Sequence, residues 1–134
     1  LELNRAVGNE AHFFREFLRF DERENHILFG RIRPKNNVIS LVMPHFADRL
    51  PQENFLILDM GRHTAGLHPA GGEWYLTQLD PEAGEQLLQK QEDPFRDLWK
   101  TFFQAISVEQ RKNPKLQRSM MPLRYREYMS EFLD

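Results

Sequence analysis

Two groups of side chains in this sequence have the types and spacing to do chemistry, and both are built around arginine. Between Ile106 and Glu127 the positive residues are Arg111, Lys112, Lys115, Arg118, Arg124 and Arg126, against Glu109 and Glu127, a local balance of 6 − 2 = +4. Guanidinium groups make forked contacts to phosphate. Asn113, Gln117 and Tyr125 lie in the same stretch and can read base edges or stack on bases. The plainer reading of such a run is a solvated helix–loop–helix surface whose arginines pair with nearby glutamates.

The second group is His12 with Arg15 and Arg19 on one predicted helix, and His45 with Arg49, four residues apart, on another. A histidine beside arginines can bind phosphate or move a proton near neutral pH. The possible pocket is therefore His12, Arg19, His45 and Arg49. The competing reading has both histidines hydrogen-bonding the fold and the arginines paired with Glu10, Glu16 or Asp48, since structural ion-pair networks imitate active sites. Arg19, between Phe17 and Phe20, is expected to be buried and paired.

Other chemistries find less support. The chain has no Cys, so thiolate nucleophiles, disulfides and cysteine zinc sites are excluded. Ser40, Ser107, Ser119 and Ser130 have no base partner in sequence and no G-x-S-x-G elbow occurs. Gly71-Gly72 reads as a hairpin turn, not a phosphate-cradling loop. Asp59, His63 and His68 surround one predicted hairpin turn and offer oxygen and nitrogen ligands, but no zinc-type spacing is met. Glu10, Glu16, Asp48 and Asp59 can form a nuclease-like metal site only if the fold gathers them. The expectation is no metal and no cofactor, with catalysis an open question.

The elements that must position these groups follow from periodicity. Residues 7–20 predict a helix with Ala11, Phe14, Phe17 and Leu18 as its buried stripe and His12, Arg15, Glu16 and Arg19 as a polar ridge. A polar turn (21–25) leads into a strand over 26–34, closed by Pro34. Asn36 and Asn37 are candidate N-caps for a helix over 38–49, with Val38, Leu41, Val42 and Phe46 on one face and Pro44 as an internal difficulty. Strands follow at 55–60, 64–69 and 73–79, the last two joined by Ala70-Gly71-Gly72. Asp80-Pro81-Glu82 starts a helix running to about Gln91. Phe95, Leu98, Trp99, Phe102, Phe103 and Ile106 form a second stripe, 115–121 an irregular link, and 122–133 a last helix. The sum is an α+β domain: a small antiparallel sheet of three or four strands flanked by about four helices.

Composition agrees with one such domain. In 134 residues, 40% are apolar and 28% charged, and eleven are Phe, which predicts an aromatic-rich core. The net charge of −2 argues against a non-specific DNA coat, which needs a strong positive field. No apolar run approaches the roughly 20 residues of a membrane helix. A cytoplasmic domain is expected.

The same residues resemble a bacterial family of DNA metabolism or DNA repair proteins. Glu10-Ala11-His12 with Phe17-x-Arg19-Phe20 resembles the family's opening segment, His45-Phe46-Ala47-Asp48-Arg49 its "HFA.R" helix, and Ile57-x-Asp59-x-x-Arg62 its "I.D..R" strand and turn. Residues 98–132 resemble its ending. The resemblance implies a setting beside a radical-SAM partner, with a related domain fused to uracil-DNA-glycosylase-like enzymes, and it makes residues 1–134 the C-terminal domain of a longer protein. Together with the +4 segment it points to a nucleic-acid-binding accessory module, with DNA as the partner and Arg111, Lys112, Asn113, Gln117, Arg118, Arg124 and Tyr125 as the contact residues. The alternatives are a module that docks a radical-SAM or glycosylase partner, and an enzyme acting on a modified base or phosphodiester through the His/Arg pocket.

Overall fold

The computed structural model describes residues 2–23 and 26–88, residues 96, 97, 99–102 and 104, and the pair 120–121. The chain runs α1 (Glu2–Phe17), β1 (Phe20–Glu22), β2 (Leu28–Ile32), α2 (Ile39–Arg49), β3 (Phe55–Asp59), β4 (Thr64–His68), β5 (Tyr75–Gln78), α3 (Pro81–Leu88) and β6 (Met120–Met121). Residues 96, 97, 99–102 and 104 are also helical. The fold is α+β.

The sheet differs from the expected one in size and polarity. Among the described residues its six strands lie in sequence order, β1 to β6, and two of the pairings are parallel: β2 with β3, and β5 with β6. The reason is topological. A parallel pair needs a crossover, and α2 is that crossover between β2 and β3. The β3–β4–β5 meander is antiparallel, with Phe55 opposite His68 and Gly66 opposite Leu76.

Strands β3 and β4 are buried at every position, so both faces of the sheet centre are removed from water. On one face Ile32, Phe55, Ile57, Trp74 and Leu76 form a single core with Ala11 of α1 and with Ile39, Val42, Met43 and Phe46 of α2. Each of the Ile, Val, Leu, Met and Phe side chains among them contributes about 1.5–3 kcal/mol on burial. Gly66 lets α2 sit this low: a Cβ there would stand 2.8 Å from Met43 Cγ. Gly71, at φ +74°, supplies the left-handed residue of the β4–β5 turn.

Several local expectations are corrected. The first helix ends at Phe17, and Phe20–Glu22, read as helix end and polar turn, is β1, with Phe20 opposite Gly30. Phe20 packs edge-on against Phe46 (5.2 Å) and Phe55 (5.7 Å), so burial across the sheet outweighs local helical pattern. The helix also presents another face: Val7, Ala11, Phe14 and Leu18 pack on the core, while Phe17 is 61% exposed. Leu41, placed on the buried face of α2, is 38% exposed. The N-cap position of α2 is Val38, with no side-chain cap, not Asn36 or Asn37. The 115–121 link contains β6, and the helix expected over 122–133 lies outside the described residues. Pro44 sits inside α2 without ending it. Its missing N–H leaves the Ser40 carbonyl without a helical donor, and Ser40 is exposed, where water can take that role.

Candidate functional site

Helix α2 lies beside α1 on the same face of the sheet, and the two helices enclose a groove of about 630 Å³ lined by His12, Arg15, Glu16, Phe17, His45 and Arg49. Helical spacing explains the set. His12, Arg15 and Glu16 are one turn apart on α1, and His45 and Arg49 one turn apart on α2, so buried stripes facing the sheet leave these positions facing each other.

The side chains are held to different degrees. Arg15 donates through Nε (3.3 Å) and Nη2 (3.0 Å) to the Leu41 carbonyl, one turn before Pro44, which fastens the two helices together. His12 Nε2 lies 3.0 Å from Glu16 Oε1 on the exposed surface of α1. Arg49 is exposed at the end of α2. His45 is half-buried and packs edge-on against Phe46, and its Nε2 is buried with no hydrogen-bond partner among the described residues. Burial, then the charges of Arg49 and Arg15, hold His45 below the usual histidine value. A main-chain hydrogen bond at Arg15 and the Asp48 carboxylate act in the opposite direction. Two arginines against one glutamate leave the groove positive even with both imidazoles neutral.

Aromatic surface adjoins this charge. Phe13 is 54% and Phe17 61% exposed, with ring centroids 5.0 Å apart. Groups of exposed aromatics are uncommon unless they contact something. Sequence reasoning placed Phe17 inside, grouped Arg15 and Arg19 with His12, and kept Arg19 rather than Arg15 in the possible pocket. The structure puts His12, His45 and Arg49 together, but Arg19 follows the helix end, is exposed, and is not part of the groove. Residues Arg111, Lys112, Asn113, Gln117, Arg118, Arg124 and Tyr125 lie outside the described residues.

The remaining candidates are dispersed. Asp59 and His68 sit at opposite ends of the β3–β4 hairpin, since Asp59 faces Thr64 and His68 faces Phe55. Asp59 is fully buried: its Oδ1 accepts the Gly61 and Arg62 N–H groups (3.1 Å each) and its Oδ2 meets Arg62 Nη1 at 3.2 Å. Arg62 also donates to the carbonyls of Pro34 and Lys35, and Glu10 accepts the N–H groups of Lys35 and Asn36. Burial opposes ionisation of Glu10, but hydrogen bonds from Lys35 and Asn36, with the Arg62 charge, hold its pKa below the ordinary value. Among the described residues no group of three or more His, Asp or Glu is placed to hold a metal ion, and no helix is long and apolar enough to cross a membrane.

Residues 1–131 match the profile of a family described as a domain of unknown function, DUF4130, so the chain belongs to that family. No curated protein and no solved structure matches it.

Proposed function

We propose that this DUF4130 domain is a nucleic-acid-binding accessory module whose α1–α2 groove grips the phosphate backbone of unpaired DNA. The observation that carries the reading is the juxtaposition of Arg15, Arg49, His12 and His45 with the exposed Phe13–Phe17 pair. Positive side chains that track phosphates next to rings on which bases stack are the recurring apparatus of single-strand binding. Arg49, exposed at the end of α2, can meet phosphate oxygens in a fork, and Arg15, whose Nε and Nη2 donate to the Leu41 carbonyl, adds positive charge beside it. The basic segment with Arg111, Arg118 and Arg124 is the expected second contact, and a DNA-repair setting with a radical-SAM or glycosylase-like partner belongs to the same proposal.

Binding of a fluorescent single-stranded oligonucleotide, measured across a salt series, tests this. The R15A/R49A variant is expected to bind about 10- to 100-fold more weakly, with a salt slope shallower by roughly 1.4, the value for two lost phosphate contacts on a single strand. The R111A/R118A/R124A variant is expected to lose binding in the same way. Unchanged affinity and slope in R15A/R49A would refute the groove.

A second reading has one observation in its favour. Phe13, Phe17 and Leu41 are all exposed large apolar residues, and aromatic anchors dominate protein interfaces. In that case affinity for the protein partner falls in F13A/F17A, and oligonucleotides do not bind at low salt.

A further inference from the structure

A second concentration of arginine lies at the β1–β2 edge, on the sheet surface that faces away from α1 and α2. Side chains alternate across a strand, and here the alternation sorts charge. Leu18 and Phe20 pack on the core beneath the helices, so Arg19 and Asp21 point to the opposite surface. Ile32 belongs to the same core, so Arg31 and Arg33 on either side of it share that opposite surface with Arg19. The register sets Phe20 against Gly30, and one step outward Arg19 comes opposite Arg31. Arg33 follows about 7 Å further along β2. On the inner flank β3 sets Leu58, not an acid, beside Arg31.

The positive charge of this surface is only partly compensated. Asp21 pairs with Arg31 at 3.3 Å. Arg19 and Arg33 are exposed, and neither has an ion pair or hydrogen bond among the described residues. Arg31 is braced a second time, with its guanidinium 6.0 Å from the centre of the Phe29 ring, and Arg23 approaches the same ring at 5.1 Å. Like charges directly opposite one another destabilise a pair of strands. Arg19 against Arg31 is such a pair, relieved at Arg31 alone by Asp21. An anion on this surface removes the remaining repulsion.

We propose that this surface carries the phosphate backbone of the bound strand onward from the groove. Phe17, the last residue of α1, lines the groove, and Arg19 comes two residues later, so the surface begins where the groove ends. Arg19, Arg31 and Arg33 present guanidinium groups, which meet phosphate oxygens in a fork. Phe29 is fully buried beneath them, so phosphates are held here and no base stacks on it. Contacts of that kind position a strand without reading its sequence. The proposal rests on the nucleic-acid reading for its choice of polyanion, and it adds a second stretch of backbone to the contact.

The test is a fluorescent single-stranded oligonucleotide of about 16 nucleotides, the upper end of a single-strand site, titrated across a salt series. The parent chain is compared with R15A/R49A, R19A/R33A and R19K/R33K. Because Arg19 and Arg33 brace nothing, R19A/R33A is expected to keep the parent's melting temperature. It is expected to bind about tenfold more weakly, with a salt slope shallower by roughly 1.4. R19K/R33K keeps both charges and is expected to keep the slope. Joining R19A/R33A to R15A/R49A is expected to flatten the slope by about 2.8. Parent affinity and slope in R19A/R33A, beside a weakened R15A/R49A, would overturn the proposal and leave the groove. A weakened R19A/R33A beside an unaffected R15A/R49A would support this surface and remove the groove. A slope lost in R19K/R33K as well would assign the effect to the fold and overturn the proposal. Poly-glutamate that displaces the oligonucleotide at lower concentration than unlabelled strand does would also overturn it, since a carboxylate surface would then be the better occupant. No oligonucleotide binding at low salt would overturn both readings.

Discussion

The Asp59–Arg62 corner and the α1–α2 groove are assembled from the same residue types, acids and arginines, yet they differ in where the hydrogen bonds go. At the corner, Asp59 is fully buried, accepts two main-chain N–H groups and pairs with Arg62, which in turn holds the carbonyls of Pro34 and Lys35. Glu10 closes the arrangement from α1 by taking the N–H groups of Lys35 and Asn36. Every polar contact named there ends on the chain itself, so the corner fixes the loop before α2. In the groove Arg15 is fastened to main chain through Leu41, and His12 lies against Glu16. Arg49 is exposed, Phe17 faces outward, and His45 keeps a buried nitrogen unpaired. Charge that the fold has saturated is scaffold, and charge left facing a cavity is available to a ligand.

The largest way to break this comparison is D59A. It removes a buried carboxylate, orphans two N–H groups and leaves Arg62 with main-chain partners only. Because Arg62 keeps about a third of its side chain in water, the loss is expected near the low end for a buried pair, about 3 kcal/mol. Urea unfolding should show a lower midpoint at unchanged slope. D59N, which keeps one acceptor, should lose roughly half as much. Oligonucleotide affinity per folded molecule should stay as in the parent. A D59A chain that keeps its stability but loses affinity would make the corner, not the groove, the site.

F17A should show the opposite pattern. Phe17 is more than half exposed and lies off the buried stripe, so stability is expected to change by no more than about 0.5 kcal/mol. Loss of one stacking ring should weaken single-strand binding by about 1–3 kcal/mol, read as a rise in Kd at fixed salt. A large drop in melting temperature instead would place Phe17 in the core.

That residue also shows where sequence reading reached its limit. Residues 11–18 contain Phe13, Phe14 and Phe17 as well as Ala11 and Leu18, so two apolar stripes can be drawn on one helix. Spacing alone does not choose between them, and packing on the core between α2 and the sheet selects the one through Val7, Ala11, Phe14 and Leu18. Arg15 stays in the groove with His12, and Arg19 leaves it because the helix ends at Phe17. Strands β3, β4 and β5 were legible because short apolar runs between turn residues have few other uses. The parallel pairing of β2 with β3 was not, since sequence marks a strand but not the neighbour it chooses. His12, His45 and Arg49 share a groove because one-turn spacing survives any choice of stripe. The cavity of about 320 Å³ on the other side of α2 left no signal, for its residues come from α2, from the turn after it, from β4 and from the β4–β5 turn, and only the sheet brings them together.

The smallest expected effect is the most specific to the groove. His45 is held below 6.5 by burial and by Arg49 and Arg15, so the folded chain binds fewer protons than the unfolded one in the window just under that value. Unfolding then takes up a proton there, and stability falls as pH drops through 6.5. Glu10, depressed below 4.5, loses its contribution only at lower pH, so the two regions separate on the pH axis. A phosphate in the groove would add negative charge beside His45 and raise its pKa. Binding should therefore take up a proton, and oligonucleotide affinity should strengthen over the same window in which stability weakens. In an H12Q background, which removes the other groove histidine, H45Q should flatten both trends together. Flattened stability with affinity still rising on acidification would show that no phosphate sits beside His45, and the anion would then have to be held elsewhere.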